Sequence, residues 1–158
     1  MAMLPGLRTL LEQQQVGYTH HVHPTAYTAR EVAQAEHVPM REVAKVVVYF
    51  GDNGYAMAVL PADFVVDLSE LKAALDLTRV RLATEKELAE LFPDCELGAM
   101  PPFGSLFGVP VFVDSSLARQ DIIAFNAGTH RDVVHMNYRD YERISQPRVV
   151  HFARWVTA

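Results

Sequence analysis

The sequence predicts an α+β domain built on a curved, barrel-like, mostly antiparallel mixed sheet flanked by short helices. Three observations lead there. Six or more strand-like segments alternate with short helical ones; two pairs of strands are separated only by turn-forming residues; and three stretches carry the Thr/Asp-x-x-Glu spacing that opens a helix. At 158 residues, half of them hydrophobic, the chain can bury a substantial core, and it reads as one domain over residues 1–158. It contains no repeat, linker or low-complexity tract.

Leu4, Leu7, Leu10 and Leu11 recur at helical spacing, so Pro5 to Gln15 is predicted as a helix, with Gly17 placed to end it. Tyr18 to Val22 follows as a strand. Thr28 with Glu31 opens a helix that runs to about His37, where Pro39 stops it. The clearest hairpin is Lys45 to Phe50, the turn Asp52-Asn53-Gly54, and Tyr55 to Leu60; arms this apolar imply burial on both faces, or on one face beneath a helix. Asp67 with Glu70 opens a helix carrying Leu68, Leu71 and Leu75, and Arg79 to Leu82 is a strand. Thr84 with Glu87 opens a further helix ending near Phe92. Val109 to Asp114 is a strand, Ile122 to Asn126 and Val133 to Asn137 form a second hairpin, Tyr138 to Ile144 is a helix, and Val149 to Phe152 a last strand.

Composition narrows the function classes. The net charge of −5 means that the molecule as a whole does not attract nucleic acid, so an RNA contact must be local or helped by a partner, and DNA is not expected. Apolar runs such as Val46 to Phe50 are far shorter than the roughly 20 residues that cross a bilayer, and the start of the chain lacks a basic stretch followed by an apolar one. A cytoplasmic protein without a membrane partner is expected. The single cysteine, Cys95, rules out an internal disulfide and fits a reducing compartment.

Five constellations could carry chemistry. Leu97 to Gly104 holds two glycines and two adjacent prolines, which make a stiff loop that either turns the chain or lines a pocket with backbone N–H groups. Lys45 stands at the mouth of an apolar strand, where it either snorkels to water or holds an ammonium at a pocket rim. Gly128-Thr129-His130, with Asn126 close by, is either a solvated turn or a small polar pocket. His20, His21 and His23 lie on one strand; His21 and His23 share a side and could share a metal, but no third ligand stands at a recognised spacing. Cys95 could act as a nucleophile with His130 as base, although no local signature supports it and cysteine is commonly a small buried hydrophobe. No phosphate-binding glycine loop or serine nucleophile elbow is present.

Six pieces in order resemble the YbaK/prolyl-tRNA synthetase-associated domain: Lys45 opening a Val-rich strand, Leu60-Pro61-Ala62-Asp63 before Val66-Asp67-Leu68, Arg81-Leu82-Ala83-Thr84, Gly98 to Gly104, Val113-Asp114, and Ala127 to His130. The resemblance runs from about His23 to Ile144. It implies a freestanding editing domain that hydrolyses the ester of a mischarged aminoacyl-tRNA, typically a small wrong residue on proline tRNA, with no metal or other cofactor. By the same resemblance, activity depends most on Lys45, the loop of Gly98, Ala99, Met100, Pro101 and Pro102 shapes the aminoacyl pocket, and His130 affects which side chain is accepted. The substrate-binding set expected on these grounds is that loop with Phe103, together with Asn126, Gly128, Thr129 and His130. Lys45 would hold the tRNA acceptor end while amides around Gly98 and Gly128 polarise the ester. Met100 and Phe103 would narrow the pocket, and Arg30, Arg41, Lys45, Arg131 and Arg139 would form a basic rim for tRNA, which a synthetase could also deliver. A noncatalytic aminoacyl- or nucleotide-binding adaptor, or a metal-dependent hydrolase using His21 and His23, are the competing classes.

Overall fold

The β-hairpin expected between Lys45 and Leu60 is the centre of the molecule. In the computed structural model, which describes residues 2–156, β2 (Ala44–Gly51) and β3 (Gly54–Pro61) pair antiparallel along their whole length, from Ala44 opposite Pro61 to Gly51 opposite Gly54. Alternation along β3 sends its side chains into two different cores: Met57 and Val59 face one cluster, while Ala56, Ala58 and Leu60 face another. This explains why the arm reads as a continuous apolar run.

Around this hairpin lies a five-stranded sheet of order β5-β2-β3-β6-β9, formed with β5 (Val80–Leu82), β6 (Val111–Asp114) and β9 (Arg148–Val150). β6 and β9 join it in parallel, so the sheet is mixed. A three-stranded antiparallel sheet is ordered β1-β8-β7, with β1 (Tyr18–Val22), β7 (Ile122–Asn126) and β8 (Asp132–Asn137). β4 (Phe64–Val66) and β10 (Ala153–Trp155) form a third sheet. A barrel needs a closed ladder of strands. Here the two larger sheets meet at one parallel bridge, Val43 to Ala124, and stay open, so the barrel-like closure expected from the sequence does not form.

Helices cover the sheets as their apolar spacing requires. α1 (Pro5–Gln13) buries Leu7 and Leu11 in the larger core. It ends two residues earlier than predicted, and Gln15, not Gly17, takes the left-handed conformation (φ 56°). α2 (Ala29–Glu36) is capped by Thr28, which accepts from the Glu31 amide at 3.1 Å, and packs Val32 and Ala33 against Val43, Ala124 and Val133. α3 (Leu68–Ala74) starts on Asp67, which accepts from the amides of Ser69 and Glu70. Of the three predicted starts, the one at α4 (Glu85–Leu91) forms the full reciprocal box between Thr84 and Glu87.

Short elements absent from the sequence reading are β4, β10, the one-turn helix α5 (Ser115–Ala118) that follows β6, and the 3-10 turns Met40–Glu42 and Gly104–Leu106. α6 (Tyr138–Ser145) lies as expected. The predicted last strand, Val149 to Phe152, forms only as β9 and stops at Val150; the buried Asp114 carboxylate accepts from the amides of Phe152 and Ala153, both at 2.8 Å, and β10 follows as a separate strand paired with β4.

Candidate active site

Lys45 occupies the position at which β2 leaves the core. Its Cα partner across the hairpin is Leu60, its stem is half-buried, and its Nζ donates to the Ala62 carbonyl at 3.3 Å. The ammonium opens on a cavity of about 430 Å³ whose wall includes Thr28 and Arg30 from the start of α2, Met40, Asp63, and Trp155 of β10. Burial lowers the Lys45 pKa, and the nearby Asp63 carboxylate works against that shift by favouring the charged form. One Asp63 carboxylate oxygen is buried without a hydrogen-bond partner among the described residues. A fixed cation with two uncommitted donors, an unsatisfied carboxylate oxygen and apolar walls make a site suited to a polar ligand with an anionic part.

The Gly98 loop and the Gly128 turn are brought together, and both owe their shape to positive φ, 83° at Gly98 and 102° at Gly128. The Gly128 amide donates to the Ala99 carbonyl at 2.9 Å, and the Glu96 amide to the Gly128 carbonyl at 2.8 Å. A Cβ at Gly98 would stand 3.8 Å from the His130 ring. His130 donates through Nε2 to the Leu97 carbonyl at 2.7 Å, which leaves Nδ1 as a buried lone pair without a partner. Thr129, fully buried, accepts from the amides of Arg131 and Asp132 and donates to the Asp132 carboxylate at 2.6 Å, so the turn is rigid.

These contacts correct several expectations. The Gly128 amide is already bonded and is not free to polarise an ester. Phe103 is fully buried between Phe125 and Tyr141, at ring separations of 5.6 and 5.1 Å, and Pro102 gives its carbonyl to the Tyr141 hydroxyl; Phe103 therefore belongs to the core and narrows no pocket. Ala99, Pro101 and Pro102 are likewise buried, and Met100 borders a small separate cleft beside Cys95. The loop acts as a rigid support whose exposed part is Leu97 and Gly98.

Loop and turn do not line the cavity at Lys45; two connections lead from them to it. Ala26 donates its amide to the His130 carbonyl at 3.0 Å, the Tyr27 ring sits 5.0 Å from the His130 ring, and the next residue, Thr28, is in the cavity wall. The parallel bridge between Val43 and Ala124 also joins the chain at the start of β2 to β7, two residues before Lys45 and Asn126 respectively. The Asn126 side-chain oxygen is another buried acceptor without a partner.

The family model for the aminoacyl-tRNA editing domain matches residues 23–144, which span Lys45, the Gly98 loop and the His130 turn. The chain belongs to the aminoacyl-tRNA editing domain family. A curated relative, the multifunctional Ser/Thr-tRNA deacylase ProXp-y of Escherichia coli K12, is 33% identical over 153 residues, covering 94% of this chain and 91% of that protein. The proline–tRNA ligase of Thermosipho africanus is 32% identical over 82 residues, which are 52% of this chain and 14% of the ligase. A crystallised chain described as a candidate trans-editing enzyme for prolyl tRNA synthetase shares the fold, with a TM-score of 0.82 at 20% identity over 97% of this chain and 99% of that one.

Other expected features of this editing domain are dispersed. Arg30 shares the cavity with Lys45, and Arg41 follows the wall residue Met40, but Arg131 reaches back to the His23 carbonyl and Arg139 lies in a separate cleft beside Arg119. The basic rim is therefore reduced to the neighbourhood of Arg30, Arg41 and Lys45. Burial, with the Asp94 charge, pushes the Cys95 thiol up to about 11, which removes the thiolate that a nucleophile needs. Asp63 and Trp155 are site residues that sequence reasoning missed. Trp155 lies outside the matched segment, and its only signal is that it is the single tryptophan of the chain. Among the described residues no helix is long and apolar enough to cross a membrane.

Proposed function

We propose that this editing domain works in trans as a hydrolase that removes a small, wrongly attached amino acid from tRNA, most typically proline tRNA, in the cytoplasm. The observation that carries this reading is the Lys45 ammonium, fixed by Ala62 at the mouth of a cavity large enough for an aminoacyl ester and part of its ribose. Likeness to a Ser/Thr-tRNA deacylase along nearly the whole chain supports the same reaction class, and the ligase match supports a synthetase as the partner that delivers tRNA.

In this reading Lys45 is the catalytic residue. Its free donors hold the terminal phosphate or ribose of the acceptor end and place the ester in the cavity. Lys45 acts as a cation, the form that the nearby Asp63 carboxylate favours. An aminoacyl ester is already activated, so positioning and charge stabilisation suffice for water to attack. Asn126 and His130 stand outside the cavity lining, and His130 braces the wall from behind through the Ala26 amide and the Tyr27 ring, next to Thr28. Gly98, Thr129 and the buried loop residues Ala99 to Pro102 keep His130 in place.

Trp155 is 58% exposed although it lines the cavity, which suits a ring that stacks on a base of the acceptor end. Loss of one stacked base is worth about 1–3 kcal/mol, so Trp155→Ala is expected to raise KM for aminoacyl-tRNA about 5- to 150-fold with kcat nearly unchanged, as read by steady-state deacylation.

Selectivity follows from size. One methylene is worth only about 1–3 kcal/mol, so alanine, serine, threonine and cysteine esters are expected to be poorly resolved from one another and larger residues excluded. The test is a panel of tRNAs, each carrying one of these residues or a bulky one, incubated with the protein. Release of the small residues alone supports editing; binding of every member without turnover would replace it with the adaptor reading.

A further inference from the structure

Four metal-ligating side chains outside the Lys45 cavity converge at the far end of α2. Glu36, in the last turn of that helix, is 3% exposed at its side chain. Its Oε1 is 2.8 Å from His21 Nδ1 and 2.6 Å from His135 Nε2. Strand geometry causes the convergence: Thr19 is the Cα partner of His135 and Val133 that of His21, so the two histidines are diagonal neighbours on one face of the β1–β8 pair. Their rings stand 4.9 Å apart.

The fourth group gives an independent indication. His23, whose side chain is 6% exposed, is set against the Pro24 carbonyl through Nδ1 at 2.6 Å. A carbonyl only accepts, so Nδ1 carries the proton and the neutral ring presents Nε2 as a lone pair. That Nε2 is buried, has no hydrogen-bond partner among the described residues, and faces Glu36 Oε2 at 4.0 Å. Two acceptors facing each other across such a gap attract nothing unless a cation lies between them. An imidazole anchored by its other nitrogen to a backbone carbonyl is also how metal-bound histidine is usually oriented.

We infer that His21, His23, His135 and Glu36 form a binding site for a divalent transition metal of the zinc type. Three imidazole nitrogens and one carboxylate are ligands that zinc takes tetrahedrally at about 2.0–2.2 Å, and the nitrogens of His21 and His135 with the Glu36 oxygen already lie within 4.8 Å of one another. Binding needs an outward relaxation of the two nitrogens now crowded on Glu36 Oε1, with His23 Nε2 facing the other carboxylate oxygen. Four protein ligands close the coordination shell, so the ion is structural: it ties the end of α2 to β1 and β8. Eight helical residues at 1.5 Å each separate this site by about 12 Å from the Thr28 end that lines the Lys45 cavity, so the ion would hold that wall without entering the reaction. The partnership was illegible in the sequence because Glu36 and His135 stand far from His21 along the chain.

The full-length protein, freed of metal by a chelator, would be titrated with zinc chloride by calorimetry and with cobalt chloride by visible absorption. One equivalent is expected to bind, with a cobalt spectrum of tetrahedral intensity and a rise in Tm of about 5–10 °C when free zinc exceeds Kd by 100-fold. His21→Ala, at a largely exposed side chain, and Glu36→Gln are each expected to weaken binding on the order of 100-fold, while His151→Ala binds as the parent does. Circular dichroism of His21→Ala verifies that the fold persists. Absence of uptake at micromolar zinc, or equal affinity in the parent, His21→Ala and Glu36→Gln, would overturn the site.

Discussion

Replacing Lys45 by alanine is expected to lower kcat/KM for deacylation by about 10²-fold or more while the protein stays folded. One fixed charge aimed at a reacting centre is worth about that much, and Lys45 is the cation whose ammonium is held within the cavity. The fold should tolerate its loss, because the stem is only half-buried and the bond it gives up is a single one to Ala62. Lys45→Arg is expected to recover little activity, since the planar guanidinium cannot take the place of a compact ammonium bonded to that carbonyl. Single-turnover deacylation with circular dichroism on the same samples checks both points, and an Ala variant with parental rates would remove Lys45 from the reaction.

Burial also gives this residue a pH signature. Because the folded-state pKa lies below the ordinary 10.5, the unfolded chain binds more protons in the window between the lowered value and 10.5. Stability contributed by this group therefore rises with pH across that window, and activity falls, because the ammonium is lost there. Denaturant midpoints and background-corrected rates measured across the alkaline range should move in these opposite directions in the parent, and Lys45→Ala should lack the stability change.

Gly104→Ala is expected to be the most destabilising small substitution in the chain. A Cβ there would stand 2.0 Å from the Val109 carbonyl oxygen and 2.7 Å from Val111 Cγ2. Neither neighbour can retreat. The Gly104 carbonyl accepts from the amides of Phe107 and Val109, and Val111 opens β6, which is paired with Met57 of β3. Backbone on backbone overlap in a buried turn costs about 3 kcal/mol or more, which for a chain of this size lowers Tm by about 6–12 °C. Gly17→Ala is the control: nothing lies within 4 Å of its Cβ, and Tm should change little. Thermal unfolding of the two variants checks the contrast.

The sequence by itself determined what depends on near neighbours along the chain. Helix starts at Thr28, Asp67 and Thr84 are each decided within four residues, and the β2–β3 hairpin by alternation around one turn. The likeness that placed the chain among editing domains is of the same kind, since it rests on motifs in order. Tertiary structure alone decided what depends on distant residues meeting. Trp155 joined Lys45 because β10 pairs with β4, far from it along the chain, whereas Asp63 is set beside Lys45 by the register of the β2–β3 hairpin. Glu36 became a partner of His21 and His135 because α2 packs over the β1–β8 face. The same holds for what was misread. A motif tells which residues form a loop, but whether its amide is free or bonded, as at Gly128, and whether its ring faces a cavity or the core, as at Phe103, depends on which atoms the rest of the chain brings against it.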